Sequence, residues 1–160
     1  MFDFVVSGKV VDPVDGVYNA HTGIIKGKIA KISDKVLEGK NLIQLTPSQL
    51  LLPGFIDPHV HMREPGWEYK EDFQSGSKAA LHGGVTTAGD MPNLPEPVTN
   101  KERLLKKMEL AKKALVDILH LGGVGKDSIP DIKNLAPYVP AFKIYTAKST
   151  GGLTLGSWNK

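Results

Sequence analysis

The chain reads as an α/β protein: a small β-rich domain over residues 1–50, then, over 51–160, a partial (β/α)8 TIM barrel of about four β/α units. Three observations predict this. Before residue 50, short β-branched runs are separated by turn residues; after it, strand-like apolar runs alternate with segments of helical period; and the side chains suited to chemistry fall at the C-terminal ends of those runs.

Composition sets the bounds. With 160 residues, 41% of them hydrophobic, the chain is globular material long enough to bury a core. Its 20 basic and 17 acidic residues give a net charge of only +3, and the lysines are spread over polar faces, so nucleic acid is not an expected partner. Cysteine is absent, which leaves any metal to nitrogen and oxygen ligands. The start, MFDFVVSGKVVD, carries an acid at position 3 and no basic region ahead of an apolar stretch. No run approaches the roughly 18 apolar residues of a membrane span, so a soluble, cytoplasmic protein without a membrane partner is expected.

In the first fifty residues the runs Phe2-Asp3-Phe4-Val5-Val6, Lys9-Val10-Val11, Gly23-Ile24-Ile25-Lys26 and Lys28-Ile29-Ala30-Lys31-Ile32 predict a small antiparallel sheet, with turns at 12–16, 26–28 and 33–34. His21 is expected on a surface loop rather than at a ligand site. The apolar run 50–57 leads into the first strand of the second domain, and 70–82 reads as a helix stopped by Gly83-Gly84. A strand is predicted at 85–91. Thr99-Asn100 can cap a helix over 101–113, with Leu104, Leu105, Met108, Ala111 and Leu115 forming its apolar face. A strand at 116–121, a helix at 128–135 that tolerates Pro130 only in its first turn, and a strand at 141–145 complete the alternation.

The run Asp57-Pro58-His59-Val60-His61-Met62-Arg63-Glu64-Pro65-Gly66 carries the chemistry. On an extended strand, positions i and i+2 share a face, so His59 and His61 can reach one ion, and without cysteine that ion is a borderline metal such as zinc. Asp57 shares the face and could support a ligand histidine from behind. Arg63 opens the following loop, where its planar guanidinium suits a substrate carboxylate or, equally, a surface salt bridge. Asn93 in Met91-Pro92-Asn93-Leu94-Pro95 could bind the same carboxylate or organise a proline turn. Lys143, inside an apolar run, would lose solvation as an ammonium; the neutral amine can take up carbon dioxide, giving a carbamate able to bridge two divalent ions. The alternative is a lysine that snorkels from a strand end. Asp90 and His120 are read as structural.

Four ordered blocks, PGFIDPHVHMREPG at 53–66, YKEDFQSGSKAALHGGVTT at 69–87, DMPNLP at 90–95 and FKIYTAKSTGG at 142–152, resemble the cyclic amidohydrolases of the metal-dependent amidohydrolase superfamily, and within them the dihydroorotase branch. The resemblance implies hydrolysis of the cyclic amide of dihydroorotate to N-carbamoyl aspartate, a step of pyrimidine biosynthesis. It implies two zinc ions, or other divalent metals, held by His59, His61 and a carboxylated Lys143, with carbon dioxide consumed in the carboxylation. Arg63 and Asn93 then match the residues that hold the substrate carboxylate. The tail Arg63-Glu64-Pro65-Gly66 favours dihydroorotase over allantoinase and hydantoinase, which remain the alternatives, as does a non-catalytic half-barrel assembly module. Leu94 replaces a more usual threonine.

Family members draw two further histidine ligands and a proton-relaying aspartate from later strands, whereas 151–160 contains no aspartate, glutamate or histidine. No complete catalytic set is therefore expected in this chain, which reads as an N-terminal part, inactive on its own. An open strand edge and an apolar seam predict association, as a homo-oligomer or with a complementing C-terminal half.

Overall fold

A computed structural model describes residues 1–126, 128–147 and 149–156. The chain divides into two compact units, Met1–Pro53 and Gly54–Lys160.

In the first unit, β1 (Phe2–Asp12) turns into β2 (Gly16–Ile25), which turns into β3 (Lys28–Ser33); β4 (Gly39–Gln44) and β5 (Leu50–Leu51) follow. Asp12 shapes the first turn, its Oδ1 accepting the N–H groups of Val14 at 2.8 Å and Asp15 at 3.0 Å. Lys26 and Gly27 make the second with φ values of 49° and 73°, the positive pair that matches the twist of a two-residue hairpin. The sheet order is β3-β2-β1-β4, with β5 also on β1. It is mixed rather than the expected antiparallel sheet, because β4 and β5 run parallel to β1. Once β2 has taken one edge of β1, the other edge is the place left for the returning chain, and Gly39-Lys40-Asn41 carries too little strand propensity to announce it. Val5, Val10 and Ala20 are buried in this unit. His21 lies on β2, not on a loop, and its Nδ1 shares a 2.7 Å hydrogen bond with Ser7 Oγ.

In the second unit, β6 (Phe55–Val60) leads to α1 (Phe73–His82), β7 (Val85–Asp90), α2 (Lys101–Leu110), β8 (Asp117–His120), β9 (Gly122–Val124), α3 (Ile132–Leu135) and β10 (Phe142–Ile144). Strands β6, β7 and β8 form a parallel sheet in that order, and β9 pairs parallel with β10. The segment 117–124 thus pairs with β7 through its first half and with β10 through its second. The expected helix over 70–82 begins later: Asp72 caps α1 by accepting Ser75 N–H at 2.7 Å, while Trp67 and Lys70 belong to turns. Asn100 caps α2 through Arg103 N–H at 3.0 Å, and a 3-10 turn, Ala111–Lys113, extends it.

The buried face of α2 departs from the expected one. Leu104 and Lys107 are buried, whereas Leu105 and Met108 are exposed. Leu104 joins Leu94, Val98 and Leu135 in a core against which Trp67, Val139 and Phe142 pack. Above it, β6 and β7 approach unusually closely: a Cβ on Gly89 would lie 2.5 Å from the Pro58 carbonyl oxygen. The pairing register shifts between Asp57 and Val60 at the same place. Replacing Gly89 with alanine therefore has to push two backbones apart beside the histidines. We expect Gly89→Ala to destabilise the protein by about 1–3 kcal/mol, read as a lower urea midpoint with an unchanged slope.

Candidate functional site

The strand end delivers the two imidazoles side by side, with ring centroids 5.4 Å apart and planes inclined at 54°. Asp57 acts on the backbone just ahead of them, its Oδ1 accepting the His59 N–H at 3.0 Å. It fixes the approach to the pair rather than gripping an imidazole. His61 is half-buried, and its Nδ1 is enclosed without a hydrogen-bond partner among the described residues. Burial, reinforced by the Arg63 guanidinium, holds His61 below its ordinary pKa against an opposing contribution from Asn93. At neutral pH the ring is accordingly uncharged, the form that donates a lone pair.

Arg63 is set by its own backbone: its N–H donates to Glu71 O at 3.2 Å and its carbonyl accepts from Trp67 N–H at 2.8 Å. The next residue, Glu64, is buried and ties this loop to two other elements, accepting Phe73 N–H at 3.1 Å and Lys113 Nζ at 2.9 Å. Asn93 is buried in the loop after β7, where its Nδ2 donates to Thr150 O at 3.3 Å. Its second N–H and its Oδ1 have no partner among the described residues. Lys143 is half-buried on β10 with its Nζ 5.1 Å from the centre of the Tyr145 ring. The Tyr145 hydroxyl is likewise enclosed and unpartnered among the described residues, and burial raises its pKa.

Residue types alone did not reveal the centre beneath the site. Lys107 Nζ lies 2.7 Å from Asp90 Oδ2, with side-chain exposures of 1% and 0%. Burial lowers the lysine and raises the aspartate, and their mutual attraction opposes both shifts. His120 Nδ1 stands 3.9 Å from the same oxygen, and Phe73 presents its ring edge-on to His120 at 5.9 Å. A lysine at 107 within KERLLKKMEL reads as polar-face material, and its spacing from Leu104 was the one available signal of burial.

The residues fit a divalent ion as a beginning: two adjacent imidazoles, one of them neutral with an enclosed, unpartnered nitrogen. No cluster of three or more His, Cys, Asp or Glu suited to a metal occurs among the described residues. No helix there is long and apolar enough to cross a membrane.

The amidohydrolase family model matches residues 50–151. The chain belongs to that family. It is 41% identical over 135 residues to a dihydroorotase of Methanothermobacter thermautotrophicus, covering 82% of this chain and 30% of the relative. A dihydroorotase of Pyrococcus abyssi is 35% identical over 150 residues, 94% of this chain and 34% of its own length. Among solved structures, L-hydantoinase (dihydropyrimidinase) from Arthrobacter aurescens superposes with a TM-score of 0.89 at 29% identity, covering 96% of this chain and 35% of that one. The chain thus spans about a third of the length of these amidohydrolase relatives.

His120 makes the acid sensitivity of this unit predictable. Burial, aided by the Lys107 charge, pushes its pKa from 6.5 down to about 4. The unfolded chain protonates it sooner, so the unfolded state binds more protons between pH 6.5 and 4, and stability falls as pH drops through that window. At about 1.4 kcal/mol per pKa unit, the loss attributable to His120 is about 3 kcal/mol. Urea unfolding at pH 7 and pH 4.5 should show a markedly smaller difference in His120→Asn than in the unsubstituted protein.

Proposed function

We propose that the second unit is the first part of a (β/α)8 barrel and the first unit its small β-rich companion domain. The whole protein would be a dihydroorotase-like cyclic amide hydrolase. Parallel strands separated by helices support the barrel reading, as do the apolar strand side chains Phe55, Ile56, Leu119 and Ile144, which are exposed here and which a closed barrel would cover. The observation that carries the activity is the neighbourhood of His61: an unpartnered imidazole nitrogen, the Arg63 charge and the Asn93 amide gathered at successive strand ends. The identity to dihydroorotases supports the same substrate.

In this reading His59, His61 and Lys143, the last after carboxylation by carbon dioxide, hold two divalent ions, with zinc the best match to the donor set. Such ions supply water activation at neutral pH and Lewis acidity toward the ring carbonyl. The chain's own residues bind and orient. Arg63 takes the carboxylate of dihydroorotate through its guanidinium fork, the second N–H of Asn93 donates to that carboxylate, and the Asp57 bond to His59 N–H keeps the pair in register. Proton delivery to the leaving ring nitrogen, which yields N-carbamoyl aspartate, is assigned to no residue described here.

A second reading, hydantoin-type hydrolysis, is favoured by the superposition on the Arthrobacter enzyme. The two differ in the carboxylate, which dihydroorotate has and hydantoin lacks. Removing the Arg63 charge costs a charge-assisted hydrogen bond, about 1.5–3 kcal/mol, so Arg63→Met should weaken dihydroorotate binding to the zinc-loaded protein by about ten- to a hundredfold and leave hydantoin binding unchanged in calorimetry. Equal effects on both ligands would sink the assignment of Arg63.

A further inference from the structure

The geometry points to the buried Lys107–Asp90 pair as a positioning clamp that sets the histidine strand end and the Asn93 loop against one another. This inference rests on the proposed roles of His61 and Asn93. Asp90 uses one carboxylate oxygen on each side: Oδ1 accepts the Met62 N–H at 3.0 Å, and Oδ2 faces Lys107 Nζ at 2.7 Å. Lys107 in turn donates to the Met91 carbonyl at 3.0 Å. Met62 stands between His61 and Arg63, and Met91 is separated from Asn93 only by Pro92. One ion pair, anchored on α2, therefore holds the backbone on both flanks of the site.

The pair has a reason to be polar. Replacing a buried ion pair by apolar side chains of similar volume is often neutral or stabilising, so packing alone does not call for it. What apolar side chains cannot do is satisfy two buried backbone groups. Met62 and Met91 are both buried, and β6 ends at Val60, whose carbonyl accepts the Met91 N–H, so the Met62 N–H lies just past the end of the ladder. An unpaired buried backbone group is costly, and here the side chains of Asp90 and Lys107 supply the missing partners. His120, 3.9 Å from Asp90 and held neutral by its burial, adds no competing positive charge near neutral pH. Among the described residues, the Arg63 charge also bears on Asp90.

Two double substitutions separate positioning from simple stability. Asp90→Asn with Lys107→Gln removes both charges but keeps an acceptor for Met62 and a donor for Met91. Asp90→Leu with Lys107→Met keeps volume and removes both bonds. Zinc affinity, by titration, and hydrogen exchange of the Met62 amide are the readouts. We expect the polar pair to stay within threefold of the unsubstituted protein in both, and the apolar pair, while folded by circular dichroism, to bind zinc at least tenfold more weakly and exchange Met62 at least tenfold faster. A folded apolar pair with unchanged affinity and exchange overturns the clamp. Should the apolar pair not fold, the polar pair decides: retained Met62 protection supports the clamp, and its loss overturns it. An unsubstituted chain that binds no zinc would overturn the metal reading instead, and Met62 exchange, which needs no metal, would still test the clamp.

Discussion

A carboxylate with no access to water has to find all its partners inside the protein, and Asp90 finds them in elements that are far apart in sequence. Its side chain receives Met62 N–H and faces Lys107 Nζ, while its carbonyl accepts Leu121 N–H at 3.0 Å. The strand carrying the histidines, the strand leading to Asn93, the strand ending at His120 and helix α2 thus meet on a single residue. Moving any of them leaves a charge or a buried N–H unpartnered, at a cost far above that of a lost apolar contact. The candidate site is held in place from beneath.

Local backbone requirements complement that hub. Gly89 lets β7 pass beneath Pro58, where even a methyl group would meet the carbonyl oxygen. Pro58 has no N–H to give the ladder, and the next N–H, that of His59, is taken by the Asp57 side chain. Glu64 does on the Arg63 side what Asp90 does on the Met62 side: its buried carboxylate binds the first N–H of α1 and the Lys113 ammonium. In each case an acidic side chain accepts a backbone N–H beside the candidate site.

Much of this was legible beforehand. The alternation of strand and helix after residue 50 appears in β6 through β10, and Asn100 caps α2 where the pattern of Thr99-Asn100 placed a helix start. His59 and His61 lie together because side-chain alternation in extended chain is a local property. The departures share a cause. β4 is written in weak strand formers and exists because the edge of β1 is open. Period alone puts Leu105 and Met108 on the apolar face of α2, yet the partners of that helix are Asp90 and a small core around Leu94, so Lys107 goes in and Leu105 and Met108 stay out. Asn93, for which the sequence offers a carboxylate-binding or a proline-turn role, also donates its Nδ2 to Thr150 O, a contact 57 positions away in sequence that no local pattern announces.

The sequence by itself therefore determined which chemistry is on offer: the imidazole pair, the guanidinium beside it, the amide on the next loop and the lysine on the last strand, all set by residue type and short-range spacing. Tertiary structure decided what those groups can do where they stand. It enclosed His61 Nδ1, buried Lys107 against Asp90, turned Asp57 onto a backbone N–H and lowered the pKa of His120. Burial and long-range pairing depend on which surfaces meet, and a periodic pattern along one segment carries no information about its partner.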